Sequence, residues 1–348
     1  MMQFNPATRK KIQRFRSIKR SFWSLILLLF LIFVSLFAEV FIHSRALLVY
    51  YNGRFYFPTY TKMIKGSQFG LGYEYETNYR DLKEKFKKES GPDFVILPPV
   101  PYNPYENDLK INAYPPFAPS FRERHFLGTD NVGRDILARL VYGFRTAIVF
   151  SLVLLVLNYT MGISLGCAMG YFGGKFDLFF QRVIEIWSNI PFLYVIMIIA
   201  SVIIPSFMIL LLIMAFFGWI GITWVMRTMT YKEKEKEYIL AVRSLGGSHA
   251  RIIFRHIIPN TLSVIVTYAP FAVSGGIVAL TSLDYLGFGL PAPTPSWGEL
   301  LSQGWQNMEA WWIAASVTAA LVLTLMCVTF IGEGIREAFD PRRHTTYE

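Results

Sequence analysis

The chain has 348 residues, 53% hydrophobic and 16% aromatic, with only 17% charged. A soluble domain of this size carries about a quarter charged residues, so a soluble globular fold is excluded. The net charge of +10 sits in clusters beside apolar runs, which reads as membrane topology and not as a nucleic-acid partner.

Residues 1–20 carry Arg9, Lys10, Lys11, Arg14, Arg16, Lys19 and Arg20 with no acid, and residues 21–42 are apolar apart from Glu39. The apolar stretch is too long for a signal peptide and lacks a small-residue cleavage site. It predicts an uncleaved first span with a cytoplasmic N-terminus. Residues 43–140 form a polar insert expected to face outward. It holds ten of the nineteen tyrosines, Pro-rich runs at 97–101 and 113–117, and a charged patch at 81–89 with helical character. Two readings stay open for the insert: a structured cap over the outer mouth, or a docking surface for a delivered substrate or its carrier.

Residues 126–146 read as a turn at Gly128 and Gly133, with Thr129 or Asp130 as helix cap, followed by an amphipathic helix. A second span is predicted over 146–171. Its Gly162, Gly166 and Gly170 recur every four residues and offer a small-residue face for close helix packing. The following Gly173-Gly174-Lys175 is not a phosphate loop, because Met169 and Phe176 stand where that motif needs Gly and Ser or Thr. A third span is predicted from Asp177 past Pro191, with Arg182 and Glu185 as an ion pair near its inner end. A fourth runs over 208–226, a fifth over 261–280 with a bend or close contact at Ser274-Gly275-Gly276, and a sixth over 311–331. Cys167 and Cys327 both fall in apolar spans, so no disulfide or metal cluster is expected.

Between spans four and five lies a polar stretch, residues 227–260. Ile239, Val242 and Leu245, then Ile253, Ile257 and Ile258, recur at helical spacing. Gly246 and Gly247 break the run, Ser248 is a good N-cap, and Pro259 is expected to stop or redirect the chain. The pattern predicts two short amphipathic helices hinged at the glycine pair. They either dock into a groove on a partner or lie in the headgroup layer. Six crossings would place both termini and this loop on the same, Lys- and Arg-rich side.

Four stretches carry a family resemblance. Leu127-Gly128-Thr129-Asp130, Gly133-Arg134-Asp135, Leu137, Arg139, Tyr142-Gly143 and Arg145 closely resemble a segment of the dipeptide/oligopeptide permease family, C-type subunit. So do Leu286-Gly287-Phe288-Gly289 with Pro293, Pro295-Ser296-Trp297-Gly298 and Leu300, and the ending Gly332-Glu333 through Asp340-Pro341-Arg342. The 227–260 stretch resembles the loop that permeases of ABC importers present to their ATPases. Here Leu240-Ala241-Val242 stands in place of Glu-Ala-Ala, and Ile258 replaces Leu before Pro259. The Tyr-rich insert, with Tyr-Asn-Gly-Arg-Phe-Tyr-Phe-Pro at 51–58, looks most like the microcin C/oligopeptide, Yej-type branch.

The resemblance implies an all-α, six-span, type I ABC importer permease fold with an extracytoplasmic insert after the first span. It implies partners: a second permease, two ATPase subunits or one fused ATPase, and a binding protein, with surrounding lipid. No catalytic, cofactor or metal site is expected on this chain, and ATP is expected to be hydrolysed elsewhere. Contact with the ATPase is assigned to Leu240, Ala241, Val242, Arg243, Leu245 and Arg251, with Gly246 as hinge, Ser248 as cap and Pro259 as the tie to span five. Candidates for the translocation path are Asn158, Tyr159, Asn189, Tyr268, Ser274 and Asp284, each equally readable as a helix–helix hydrogen bond. The alternative, a secondary transporter or channel without ATPase partners, would need ionisable residues deep in several spans, and these are scarce.

Overall fold

The computed structural model describes residues 6–89, 91–110 and 113–339. The expected Asp340-Pro341-Arg342-Arg343 ending and the 344–348 tail lie outside the described residues. In chain order come α1 (Pro6–Ser17), α2 (Lys19–Leu36), α3 (Ala38–Phe41), strands β1 (Leu48–Tyr51) and β2 (Arg54–Tyr56), α4 (Tyr79–Glu89) and β3 (Phe94–Ile96). Then follow α5 (Ile136–Phe172), α6 (Gly174–Ser188), α7 (Phe192–Val202), α8 (Phe207–Gly218), α9 (Ile220–Glu233), α10 (Glu237–Ser244) and α11 (His249–Ile252). A π turn (Ile253–Ile257), α12 (Ile258–Tyr285), α13 (Trp297–Gln306) and α14 (Trp311–Phe339) complete the chain.

Five helices are long and apolar enough to cross a membrane, and α6 with α7 makes a sixth if that bent pair is one span. The third span is therefore not continuous as expected. It breaks at Asn189-Ile190-Pro191 and bends by 65°. Proline disfavours helical backbone at the residue before it and has no N–H to continue the ladder. The second span also begins earlier than expected. The amphipathic segment and the apolar run form one helix, Ile136–Phe172, capped by Asp135, whose side chain accepts from Ala138 N at 2.7 Å. Neither Thr129 nor Asp130 is the cap.

Close backbone packing joins α5 to α9. A Cβ at Gly166 would stand 2.9 Å from Met226 Cβ, and one at Gly170 would stand 2.6 Å from the Arg227 carbonyl oxygen. In lipid, such small-residue contact is what dispersion and short backbone distances favour. At one end of this seam Arg227 grips Asp177 through two bonds of 2.6 Å, and Tyr231 donates to the same carboxylate at 2.7 Å, fastening α6 to α9. The first span packs on the last: buried Ser21, Ser24 and Ser35 of α2 lie on its inner face, and Gly334 of α14 leaves room for Ser21. Arg20 pairs with Glu333 at 3.1 Å, so the beginning and end of the described chain share one end of the bundle.

The insert folds around a three-stranded antiparallel sheet, β2-β1-β3, an addition to the otherwise helical chain. Val49 and Val95 face α4, where Leu82 and Phe86 join Phe69 and Tyr79 in a small core. The charged patch is helical as expected, with its apolar residues on the sheet side.

Two polar clusters fasten the insert to the bundle. Arg139 is fully buried and donates to the carbonyls of Pro104 (3.1 Å), Pro293 (3.3 Å) and Thr294 (3.3 Å) and to Glu299. Arg134 joins Asp130 to Glu299 with two bonds of 2.7 Å. Beside it, buried His125 lies between Asp135 (Nδ1 to Oδ2, 2.8 Å) and Asp108 (Nε2 to Oδ2, 3.1 Å), with Tyr102 stacked on its ring. Burial works against the imidazolium, but the two carboxylates outweigh it and hold the His125 pKa above its ordinary value. The hydrogen bond from His125 holds the Asp108 carboxyl below its ordinary value.

Replacing Gly166 with Leu should force α5 from α9 and lower stability by about 1–3 kcal/mol, read as a drop in the thermal midpoint of the purified chain. A raised histidine pKa stabilises the fold below the ordinary histidine value near pH 6.5 and loses that stabilisation as pH rises through the raised one. Thermal stability should therefore fall as pH rises from about 6.5 through that raised value, by about 1.4 kcal/mol per tenfold gain in proton affinity. His125→Asn should flatten that slope.

Candidate functional site

The stretch after α9 folds into a fixed corner. In α10, Ile239 is fully buried and Val242 half-buried; both pack on Tyr171, Cys167 and Met226 and on Ile252, Ile253 and Ile257. Leu245 does not join them. It stands at the end of the helix and is 88% exposed. Gly246 turns the chain with φ +79°, its N–H bonding Arg243 O while Gly247 N–H bonds Val242 O, both at 3.0 Å. This is a Schellman motif, which satisfies the last carbonyls of the helix and requires left-handed backbone that glycine adopts without strain. The glycine pair is thus a hydrogen-bonded turn.

Ser248 caps the next helix, accepting from Arg251 N at 3.3 Å. That helix is not a separate short one. Residues His249–Tyr285 run as a single membrane-length helix through α11, the π turn and α12. Pro259 neither stops nor redirects it. Its missing N–H and its ring would disturb the carbonyl four residues back, and the π turn just ahead, closed by Ile258 N on Ile253 O, widens the helix there. The corner is therefore a direct extension of span five.

Three contacts hold α10 in place. Tyr238 donates to Glu233 at the end of α9 (2.6 Å) and accepts from Asn260 of α12 (3.1 Å). The Arg243 guanidinium lies over the Tyr171 ring at 5.4 Å, and Tyr171 meets His249 at 2.9 Å. What remains outside is a mixed apolar and basic surface: Leu240, Leu245 and Phe254 are exposed, as are Ala241, Arg243 and Arg251. A shallow pocket of about 380 Å³ between Leu245, Arg251, Arg255 and His256 indents it.

The path candidates separate in the structure. Asn158, Tyr159 and Tyr268 line one cavity of about 310 Å³ between α5, α8–α9 and α12. Ser274 lies further along α12, outside the lining, with a buried Oγ that has no partner among the described residues. Asn189 is exposed and its amide donates to Glu185 O at 2.6 Å, closing α6 before the break. Asp284 is buried in a fastening of the α12–α13 loop, accepting from Leu290 N (2.7 Å) and Ser296 Oγ (2.5 Å). The expected Arg182–Glu185 pair forms on the exposed face of α6. The Arg227–Asp177–Tyr231 lock has no signal in one dimension, because its members lie some fifty positions apart.

A profile of the family described as binding-protein-dependent transport system inner membrane component matches residues 162–345, which include α9, the corner, the lengthened span five and the last span. The chain belongs to this family. It is a multi-pass inner membrane permease, and the secondary-transporter alternative is set aside. Among its relatives is the Inner membrane ABC transporter permease protein YejE of Escherichia coli K12, 38% identical over 345 residues, covering 99% of both chains. The Peptidoglycan transport system permease protein YejE of Agrobacterium fabrum C58 is 36% identical, covering 98% of this chain and 94% of its own. The Oligopeptide transport system permease protein OppC of Haemophilus influenzae is 35% identical, covering 65% of this chain and 73% of its own.

Ile239→Ala should release α10 from its seat at a cost of about 2–5 kcal/mol locally. Hydrogen exchange of the 237–244 amides should accelerate strongly while that of α12 stays slow.

Proposed function

We propose that this permease forms half of the translocation path of an importer for peptides or peptide-like compounds, microcin C-like ones included, and is driven by ATP hydrolysed on partner subunits. The observation that carries this reading is the rigid corner. Its exposed Leu240, Leu245 and Phe254, ringed by Arg243, Arg251 and Arg255, offer an apolar knob with basic edges to a groove. Because the corner is continuous with span five, displacement of the knob is displacement of that span. ATP drives the change only to the extent that the ATPases bind one arrangement better than the other.

The partners in this reading are a second permease subunit, two ATPase subunits or one fused ATPase, and a binding protein that delivers cargo on the other side. The relatives named for oligopeptide and peptidoglycan transport support peptide-like cargo. In this reading both termini and the knob lie in the cytoplasm and the insert in the periplasm, which the basic residues of α1 and of the corner support. The chain itself binds no cofactor and hydrolyses nothing.

Affinity capture of the tagged chain from its own membranes should retain a second permease and a nucleotide-hydrolysing subunit. Gly246→Pro, which disrupts the left-handed turn, should leave the chain in the membrane but cut uptake and transport-coupled ATP hydrolysis at least tenfold. Wild-type rates in that variant would refute the coupling role.

A further inference from the structure

We infer that the cavity between α5, α8–α9 and α12 is a subsite for a backbone amide of the peptide in transit. The inference rests on the peptide-import reading and adds a site and a ligand chemistry to it. Asn158, Gly221 and Tyr268 each stand near the middle of their spans, Ile136–Phe172, Phe207–Glu233 and His249–Tyr285. The cavity thus lies near the membrane midplane, where a polar side chain is costliest.

Two polar atoms there go unmet. The Asn158 carbonyl oxygen and the Tyr159 hydroxyl are buried and have no partner among the described residues. Buried polar groups are almost always hydrogen-bonded, and an exception calls for an explanation. Neither is a loose side chain at a rim. The Asn158 amide is seated over Gly218, where an added Cβ would stand 2.9 Å from its Cγ.

The donor set selects the ligand. An Asn carbonyl accepts one hydrogen bond, and a phenol donates one. Between them they can serve the N–H and the C=O of a peptide group. Among the described residues, no charged side chain lines the cavity, so it does not select an ionic ligand. The remaining walls are largely apolar, with Phe271 and the half-exposed Tyr268 at the side. A volume of about 310 Å³ lies at the low end of ligand pockets, roughly 300–1,000 Å³, and suits part of a peptide rather than the whole. A site that reads only the backbone tolerates any cargo side chain, and two hydrogen bonds hold it weakly enough to release it.

The test uses cells whose only copy of the full-length chain is wild type, Asn158→Leu or Tyr159→Phe, and measures uptake of radiolabelled trialanine. Each variant should lower uptake about tenfold, the loss of one good hydrogen bond, at unchanged abundance in the membrane. Because each removes an unmet polar group, the purified variants should melt at or above the wild-type midpoint. Wild-type uptake in both variants would overturn the subsite alone. A midpoint lowered by several degrees in both would also overturn it, by showing that these groups have protein partners. A phospholipid retained by the wild type in native mass spectrometry and lost from Asn158→Leu would assign the cavity to lipid instead. Trialanine uptake that does not depend on the wild-type chain would overturn the peptide reading, and the subsite with it.

Discussion

The insert is tied to the membrane spans above all through the buried guanidinium of Arg139. Arg139 sits on the second span, yet its donors end on the insert, on the loop after span five and on the helix before span six. With Arg134, Asp130 and Glu299 the cluster is close to neutral, which makes its burial tolerable. Taking away one member of such a group leaves an uncompensated charge, and that is far costlier than never having had the group. The cluster therefore acts as a constraint on arrangement more than as a source of stability. It sets where the insert, the second span and the α12–α13 loop stand relative to one another.

The inner end is organised differently. Asp177 with Arg227 fixes the bent third span to the fourth, and Arg20 with Glu333 fixes the first to the last. The corner at residues 237–260 is held mostly by apolar contact and by short polar links through Tyr238, Tyr171 and Asn260. The insert side is thus held by a dense buried ion cluster, and the corner by packing and single polar links.

Much of this was legible in one dimension. Apolar runs of spanning length marked the spans, because lipid leaves the chain few ways to satisfy its backbone. Gly162, Gly166 and Gly170 announced a close helix seam, and Ser248 announced a cap. What failed did so for physical reasons. Leu245 matched the spacing of Ile239 and Val242, but periodicity does not show where a Schellman turn ends the helix. Pro259 looked like a terminator, and a π turn absorbed it. Asp130 looked like a cap because its partners, Arg134 and Arg139, are recognised only once the helix is built. Asn158, Tyr159 and Tyr268 were named one by one, and only the packing of three helices brought them together. The insert's sheet was missed because its strands are three or four residues each and β1 meets β3 only across α4.

The seating of α2 against α14 bears on biogenesis. The earliest hydrophobic segment packs chiefly on the last one, where Ser21 meets Gly334. While the intervening polypeptide is still being synthesised, that opening segment is without its chief protein neighbour. A nascent product cut short before residue 311 lacks that surface altogether.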